Sequence, residues 1–142
     1  MAILLILLAI VLVIVVVSFI YSRQRERRLE GYSGLAREQF VEHFSAQGIP
    51  PSISEAVYDM FKKKVRSQNF RPSPEMSIEG VFEQLGEDTD DDAHHILKVL
   101  GMPEPSEEML ERWKGHGVET VSDLVVWTDW VRRQQNSPLD KT

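Results

Sequence analysis

The chain begins with one apolar stretch, after which the pattern of apolar and polar residues changes completely. Residues Ala2 to Tyr21 are apolar except for Ser18. A helix of about 20 residues rises roughly 30 Å, which is the thickness of a bilayer's hydrocarbon core. A single segment surrounded by lipid satisfies its backbone hydrogen bonds only as a helix. The pattern therefore predicts a transmembrane helix over residues 1–22.

A cleaved signal peptide is the alternative interpretation of this stretch. Signal peptides carry a basic amino-terminal region, a shorter apolar core and small residues at the cleavage site. Here no charged side chain precedes Arg23, and Phe19-Ile20-Tyr21 offers no small residues. These features favour an uncleaved anchor.

A basic cluster follows the apolar stretch at once. Basic residues that flank a span lie preferentially on its cytoplasmic side, so the cluster predicts an outside N-terminus and a cytoplasmic C-terminal domain. Anionic lipid headgroups would also attract it, although Glu26 and Glu30 reduce its net charge. The predicted membrane-flanking residues are Arg23, Arg25, Arg27 and Arg28.

Beyond residue 34 the chain alternates short amphipathic segments with glycine and proline breaks. Apolar residues recur at helical spacing, as every fourth residue does from Ile53 to Val65. No segment alternates with the period of a strand, so we predict an all-α fold with a small acidic helical bundle. The expected organisation is a transmembrane anchor over 1–22, a basic juxtamembrane linker over 23–34, a helical cytoplasmic domain over 35–135 and a flexible tail over 136–142.

Capping residues indicate where the helices of this domain begin. The first is expected over 35–47, after a hinge at 31–34, and it ends at Gly48. Ser52-Ile-Ser-Glu55 is a capping-box pattern that predicts the start of the second helix. A short helix or an ordered loop is expected over 77–85. Further starts are predicted at Asp88 or Thr89, at Ser106 and at Thr120.

Composition narrows the possible functions. The chain of 142 residues has a formal net charge of −6 and no cysteine. Because no charged residue precedes Arg23, the whole acidic excess belongs to the part after the anchor. An acidic domain is poorly suited to nucleic acid, whose binding depends on neutralising phosphates. The lack of cysteine excludes disulfides and thiolate metal sites.

The charges are also segregated along the chain. Every charged residue from Lys62 to Arg71 is basic, and this run is expected to form a solvated face. Every charged residue from Glu75 to Asp92 is acidic. Carboxylates in a first helical turn complement the helix dipole, and a segregated surface also steers a charged protein partner. We therefore predict a partner-binding surface at Asp88, Asp90, Asp91 and Asp92.

Candidate chemistry is sparse. His95 lies four residues after Asp91, as His94 does after Asp90, so either pair could share a helix face. Two such ligands make a weak metal site without a third, and we predict no bound metal. The sequence has no glycine-rich phosphate loop and no G-x-S-x-G nucleophile elbow. We predict no cofactor and no enzyme activity.

One part of the chain resembles the acyl carrier proteins. Leu85-Gly86-Glu87-Asp88 matches the Leu-Gly-x-Asp sequence at the start of that family's second helix, and residues 118–124 resemble the start of its last helix. The likeness covers residues 52–133 and implies a small acidic four-helix bundle. In the family a serine bearing 4′-phosphopantetheine comes next, followed by leucine. This chain has Thr89 and Asp90 at those positions.

The resemblance makes Thr89 the candidate cofactor position. Because threonine replaces the modified serine, it also implies a binding module that has lost its prosthetic arm. We therefore predict a non-catalytic, membrane-anchored protein-interaction domain whose partners are the lipid bilayer and a protein. The alternatives are a membrane-tethered acyl-carrier-like protein and a structural accessory subunit of a membrane complex.

Overall fold

The computed structural model describes residues 2–30, 34–85, 90–113 and 116–137, without the side chains of residues 2, 5, 25–30, 82–85, 90 and 91. This described part is all-helical apart from one isolated antiparallel bridge, between Ser77 and Thr120, which confirms the predicted fold class. Most of the hinge expected at 31–34 lies outside the described residues. The helices are α1 (Ala2–Glu30), α2 (Arg37–Ser45), α3 (Pro51–Val65), α4 (Ile78–Leu85), α5 (Asp90–Val99), α6 (Glu107–Trp113) and α7 (Val121–Gln135).

Helix α1 exposes its apolar side chains. Its window Ile6–Gln24 has a mean hydropathy of 2.6, and none of the window is buried. The helix is therefore long and apolar enough to span a membrane. It continues beyond the apolar residues to Glu30, so the basic residues expected in a linker belong to the same helix.

Helices α2 and α3 form a hairpin around aromatic side chains. Phe40 and Phe44 are fully buried, with ring centroids 4.9 Å apart, and the Phe40 ring lies 5.3 Å from that of Tyr58. The backbone turns at Gly48, whose φ of 81° disfavours any residue with a β-carbon. The amide of Ile49 then donates to the Phe44 carbonyl at 3.2 Å. Helix α2 ends at Ser45 with Ala46 as its C-cap, two residues before the predicted end, and Gly48 forms the turn that follows.

The capping box expected at Ser52 is wrong. The N-cap is Pro50, two residues earlier, so helix α3 begins at Pro51 and has no side-chain cap. Proline suits the first helical turn because its missing N–H would have no helical partner there. The hydroxyl of Ser54 donates to the Pro51 carbonyl at 3.0 Å inside this turn.

Helix α3 ends in a loop that is organised by one lysine. Arg66 adopts a left-handed conformation with φ of 55°, which terminates the helix. The Lys62 ammonium then donates to the carbonyls of Ser67, Gln68 and Phe70 at 3.0, 2.7 and 2.6 Å. The sequence predicts that this basic run forms a solvated face. Lys63 and Arg66 are exposed, as expected, whereas Lys62 is partly buried.

The chain enters the helical domain against this same loop. The amide of Leu35 donates to the Pro72 carbonyl at 3.1 Å, and the Tyr58 hydroxyl donates to the Leu35 carbonyl at 3.4 Å. A β-carbon built on Gly34 would lie 1.8 Å from the carbonyl oxygen of Arg71. Only glycine allows the two backbones to approach so closely.

Two further helix starts are confirmed. Ser106 Oγ accepts from the amide of Met109 at 3.3 Å at the start of α6. At the start of α7, Thr120 Oγ1 accepts from the Asp123 amide at 3.2 Å, and Asp123 Oδ2 accepts from the Thr120 amide at 2.8 Å. These reciprocal bonds form the capping box expected from the sequence.

The core is centred on α3, which contacts α2, α5 and α7. Backbone hydrogen bonds from Ile78 to Glu119 and from Val121 to Met76 attach the start of α4 to the start of α7. The largest fully buried side chains come from α2, α3, α4, α5 and the loop between α3 and α4, and they belong to one continuous core. They are Phe40, Phe44, Ile53, Val57, Phe61, Phe70, Met76, Val81, Ile96 and Leu97.

Candidate functional site

The predicted acidic surface lies at the start of α5, and the structure describes only part of it. Asp88 and Thr89 fall outside the described residues. Asp90 and Asp91 form the beginning of α5, and their side chains are among those not described. Asp92 is only 5% exposed, so its side chain is not available to a partner at the surface. Partner binding therefore stays a prediction for Asp88, Asp90 and Asp91.

Asp92 instead joins α5 to α3. Its Oδ1 lies 2.5 Å from Lys64 Nζ, and both side chains are largely shielded from solvent. Its Oδ2 is buried and has no hydrogen-bond partner among the described residues. An ion pair away from water is weakly screened, so it resists any separation of its partners. Sequence spacing alone did not reveal this pair, because both residues belonged to runs of like charge.

The ion pair sets the rotation of α5 about its axis. With Asp92 turned inward, Ile96 and Leu97 are also buried, and His94 and His95 are exposed. The exposed side of α5 and the chain after it form an open groove of about 510 Å³. We call this the α5 groove, and it is lined by His94, His95, Leu97, Lys98, Met102 and Glu104.

The α5 groove combines an apolar floor with titratable walls. Leu97 and Met102 supply apolar surface, while two imidazoles, the Lys98 ammonium and the Glu104 carboxylate supply polar contacts. Among the side chains that the structure describes, no group of three His, Cys, Asp or Glu residues could hold a metal ion. The pairing of either histidine with Asp90 or Asp91 lies outside the described side chains.

A second groove lies at the turn between α2 and α3. It has a volume of about 260 Å³, and its walls come from this turn, α6 and α7. The rings of Trp113 and Trp130 meet there with centroids 5.1 Å apart. Trp113 Nε1 is buried without a hydrogen-bond partner among the described residues. We call this the tryptophan groove, and it is lined by Gln47, Ile49, Trp113, Val126, Asp129, Trp130 and Arg133.

One buried carboxylate positions a guanidinium at the edge of the tryptophan groove. Asp129 is 4% exposed, and its Oδ2 lies 2.7 Å from Arg133 Nε while its Oδ1 lies 2.8 Å from Arg132 Nη2. Both arginines lie in the last turn of α7, where basic side chains complement the helix dipole. The three- and four-residue spacing from Asp129 was the signal that could have identified the pairing. Of the three tryptophans, only Trp127 is a buried core residue, while the other two line the groove.

The predicted membrane-flanking arginines lie on the last turns of α1. The Arg23 guanidinium lies over the Phe19 ring, 5.2 Å from its centroid. Arg25, Arg27 and Arg28 are helical, and their side chains are not described. Arg23 therefore lies where an apolar helix surface gives way to a polar one, which suits a residue at a membrane interface.

No protein-family model, curated protein or solved structure matches this chain.

Proposed function

We propose that this protein is a membrane-anchored interaction module, with α1 as the anchor and the helical domain as the binding part. The observation that carries the proposal is that the apolar window of α1 is entirely exposed in an otherwise well-packed protein. An apolar core helix of a water-soluble protein would be covered by its own fold. A bilayer supplies that cover for a helix of this length.

The basic residues after the span favour a cytoplasmic domain. They follow α1's apolar part on one side only, which is the pattern of the positive-inside rule. A tether of this kind confines the domain to a surface and raises its effective concentration for partners in the same membrane.

The start of α5 is the proposed contact surface for a protein partner. Asp90 and Asp91 begin the helix and Asp88 precedes it in the sequence, and the N-terminal end of a helix dipole favours negative charge. The α5 groove continues from this start along the same helix. A partner with a basic segment and an apolar anchor residue would complement the carboxylates and the groove together.

Co-purification from native membranes tests this surface. The full-length protein would be compared with the Asp90→Lys/Asp91→Lys variant, in which Asp92 is kept because it pairs with Lys64 inside the fold. The matched control is Glu42→Lys/Glu79→Lys, which makes the same charge change at exposed positions on α2 and α4. We expect the α5 variant to lose a partner that the wild type and the control retain.

Other outcomes separate the alternatives. Retention of every partner by the α5 variant would overturn the acidic contact surface. Loss of partners only when α1 is exchanged for an unrelated span would indicate an accessory subunit that assembles through its anchor.

A carrier role at Thr89 is the second candidate. Its support is that α5 begins one residue after Thr89 and is followed by a short α6 and then α7, in the helix order of the acyl carrier resemblance. Intact mass spectrometry of the protein from its native membrane tests it. A phosphopantetheine-sized mass increment that is lost in Thr89→Ala would support the carrier role, and an unmodified mass would count against it.

A further inference from the structure

The tryptophan groove presents two large aromatic rings that the core of the domain does not fully cover. Trp113 and Trp130 are partly buried, and Val126 beside them is 39% exposed. The volume of about 260 Å³ is smaller than a typical small-molecule site, which begins near about 300 Å³, so it suits one anchoring side chain. Tryptophan and arginine are also the residues most often found at the energetic centres of protein interfaces.

A guanidinium with unused donors lies at the edge of this groove. Val126, Asp129, Trp130 and Arg133 follow one another along α7 at spacings of three, one and three residues, so they share one face of the helix. The side chain of Arg133 is 57% exposed and binds Asp129 through Nε. Its Nη groups bond no acceptor among the residues that the structure describes. They can therefore donate two parallel hydrogen bonds to a carboxylate from outside the domain.

The charges inside the groove favour such an anion. Asp129 Oδ1 binds Arg132 and its Oδ2 binds Arg133, so one buried carboxylate faces two guanidiniums. The turn that forms another wall, over residues 46–50, contains no charged residue. The other acid of α7, Asp123, belongs to the cap about 15 Å away along the helix.

The acids of the neighbouring helices point away from the groove or are paired. Glu55 and Asp59, on α3, both bind Arg37. Three glutamates of α6 lie about 120–160° from Trp113 around the helix axis, so their side chains leave the helix on another side. They are Glu107, Glu108 and Glu111.

The acidic start of α5 is remote from the groove. Asp92 pairs with Lys64 near the end of α3, about 20 Å along that helix from the turn at the groove. The Debye length at physiological salt is about 8 Å, so these charges have little effect on Arg133. Three further exposed acids lie outside the groove lining, on α2 and after α5. They are Glu38, Glu42 and Glu104.

We infer that the tryptophan groove binds a peptide segment of a partner protein in which a large apolar residue stands next to an aspartate or glutamate. The apolar side chain packs against the rings of Trp113 and Trp130, and the carboxylate accepts from the Nη groups of Arg133. A charge-assisted pair of this kind is about twice as strong as a hydrogen bond between neutral groups. The site is separate from the start of α5 and does not depend on α1 being an anchor.

The indole N–H signals of the isotope-labelled full-length protein in detergent micelles test this binding. The probes are acetyl-Ser-Leu-Asp-Ser-amide and acetyl-Ser-Asp-Leu-Ser-amide. The matched controls replace Asp by Asn, which removes the charge, or Leu by Ala, which removes the apolar anchor. Trp127 is a core residue and serves as the internal reference. We expect at least one probe to shift the Trp113 and Trp130 signals but not that of Trp127, and its controls to bind about fivefold or more weakly.

Two variants assign the effect to Arg133. Arg133→Gln should weaken binding of the probe about fivefold or more and leave binding of its Asn control unchanged. Arg132→Gln removes the same charge from the same carboxylate, but Arg132 does not line the groove, so both affinities should be kept. An unchanged Trp127 signal and far-UV circular dichroism show that each variant is folded.

The remaining outcomes would overturn the inference and leave the proposed anchor and the α5 surface standing. One is that neither probe shifts the Trp113 and Trp130 signals. Another is that the probe and its Asn control bind equally well, because the carboxylate would then have no role. A third is that Leu139→Ala/Asp140→Asn shifts these signals without any peptide while the probes have no effect on the wild type, which would identify this segment of the same chain as the occupant.

Discussion

At the scale of single residues, three consecutive lysines have three different environments. Lys62 binds backbone carbonyls of the following loop, Lys63 is exposed, and Lys64 pairs with Asp92. Their positions on α3 differ by about 100° each, so each points to a different neighbour. The three side chains are chemically identical, so their different environments follow from their angular positions on the helix.

The Lys64–Asp92 pair gives a prediction at this scale. Lys64→Met leaves the Asp92 carboxylate buried without its cation, and should reduce the free energy of unfolding by about 1–3 kcal/mol, which is the cost of leaving a buried polar group unsatisfied. The double variant Lys64→Met/Asp92→Leu should lose less than the two single variants together, because neither charge is left uncompensated. Urea unfolding in detergent, followed by tryptophan fluorescence, measures all three.

The exposed pair between Glu108 and Arg112 is the control for this experiment. It has a similar distance, 2.6 Å, but both side chains are more than half exposed. Glu108→Gln should cost less than about 0.5 kcal/mol, because solvent screens the interaction. Equal losses from Lys64→Met and Glu108→Gln would contradict a special role for the α3–α5 pair.

At the scale of elements, the start of α7 is capped by reciprocal hydrogen bonds between Thr120 and Asp123. Burial opposes the ionisation of Asp123, but hydrogen bonds from the Thr120 side chain and from the Thr120 and Glu119 amides outweigh it and lower the pKa. Because the folded pKa is lower than the unfolded value near 3.8, the carboxylate stabilises the fold fully above that pH. This contribution is lost as the pH falls through the folded value.

Asp123→Asn tests this pH dependence. The variant keeps a side-chain oxygen but loses the charge, so it should lower the free energy of unfolding by about 1 kcal/mol at pH 7. The difference from the wild type should shrink as the pH falls below about 4, where the wild-type carboxylate is protonated. Denaturant unfolding at a series of pH values measures it. The control is Glu119→Gln, which alters an exposed side chain next to the cap. It should leave the free energy of unfolding nearly unchanged at every pH.

Element boundaries were largely predictable because they depend on local chemistry. Ser106 and Thr120 cap helices in the expected places, since caps are formed by near neighbours in sequence. Helix α2 ends two residues before its predicted end, and the N-cap of α3 is Pro50 instead of the expected Ser52. The environments of Lys64, Asp92 and the groove tryptophans were not predictable, because each depends on contact between segments that are distant along the chain.

At the scale of the whole molecule, α2 and α3 connect the entry of the chain with both grooves. The chain enters beside the loop that follows α3, and α2 leads from there to the turn that lines the tryptophan groove. Helix α5, which carries the α5 groove, packs against α3, and the Asp92–Lys64 pair joins the start of α5 to the last turn of α3.

The contact at Gly34 links the anchor to this arrangement, and it gives the last prediction. Gly34→Ala would place a β-carbon 1.8 Å from the Arg71 carbonyl oxygen, and backbone atoms on both sides would have to move. We expect a loss of about 2 kcal/mol or more in the free energy of unfolding, together with faster hydrogen exchange at the Leu35 amide. Gly80→Ala is the control, because its β-carbon would meet only Ser77 atoms at an ordinary 3.6 Å and a helix favours alanine. Unchanged exchange at Leu35 in Gly34→Ala would mean that this contact does not hold the segment that enters the helical domain.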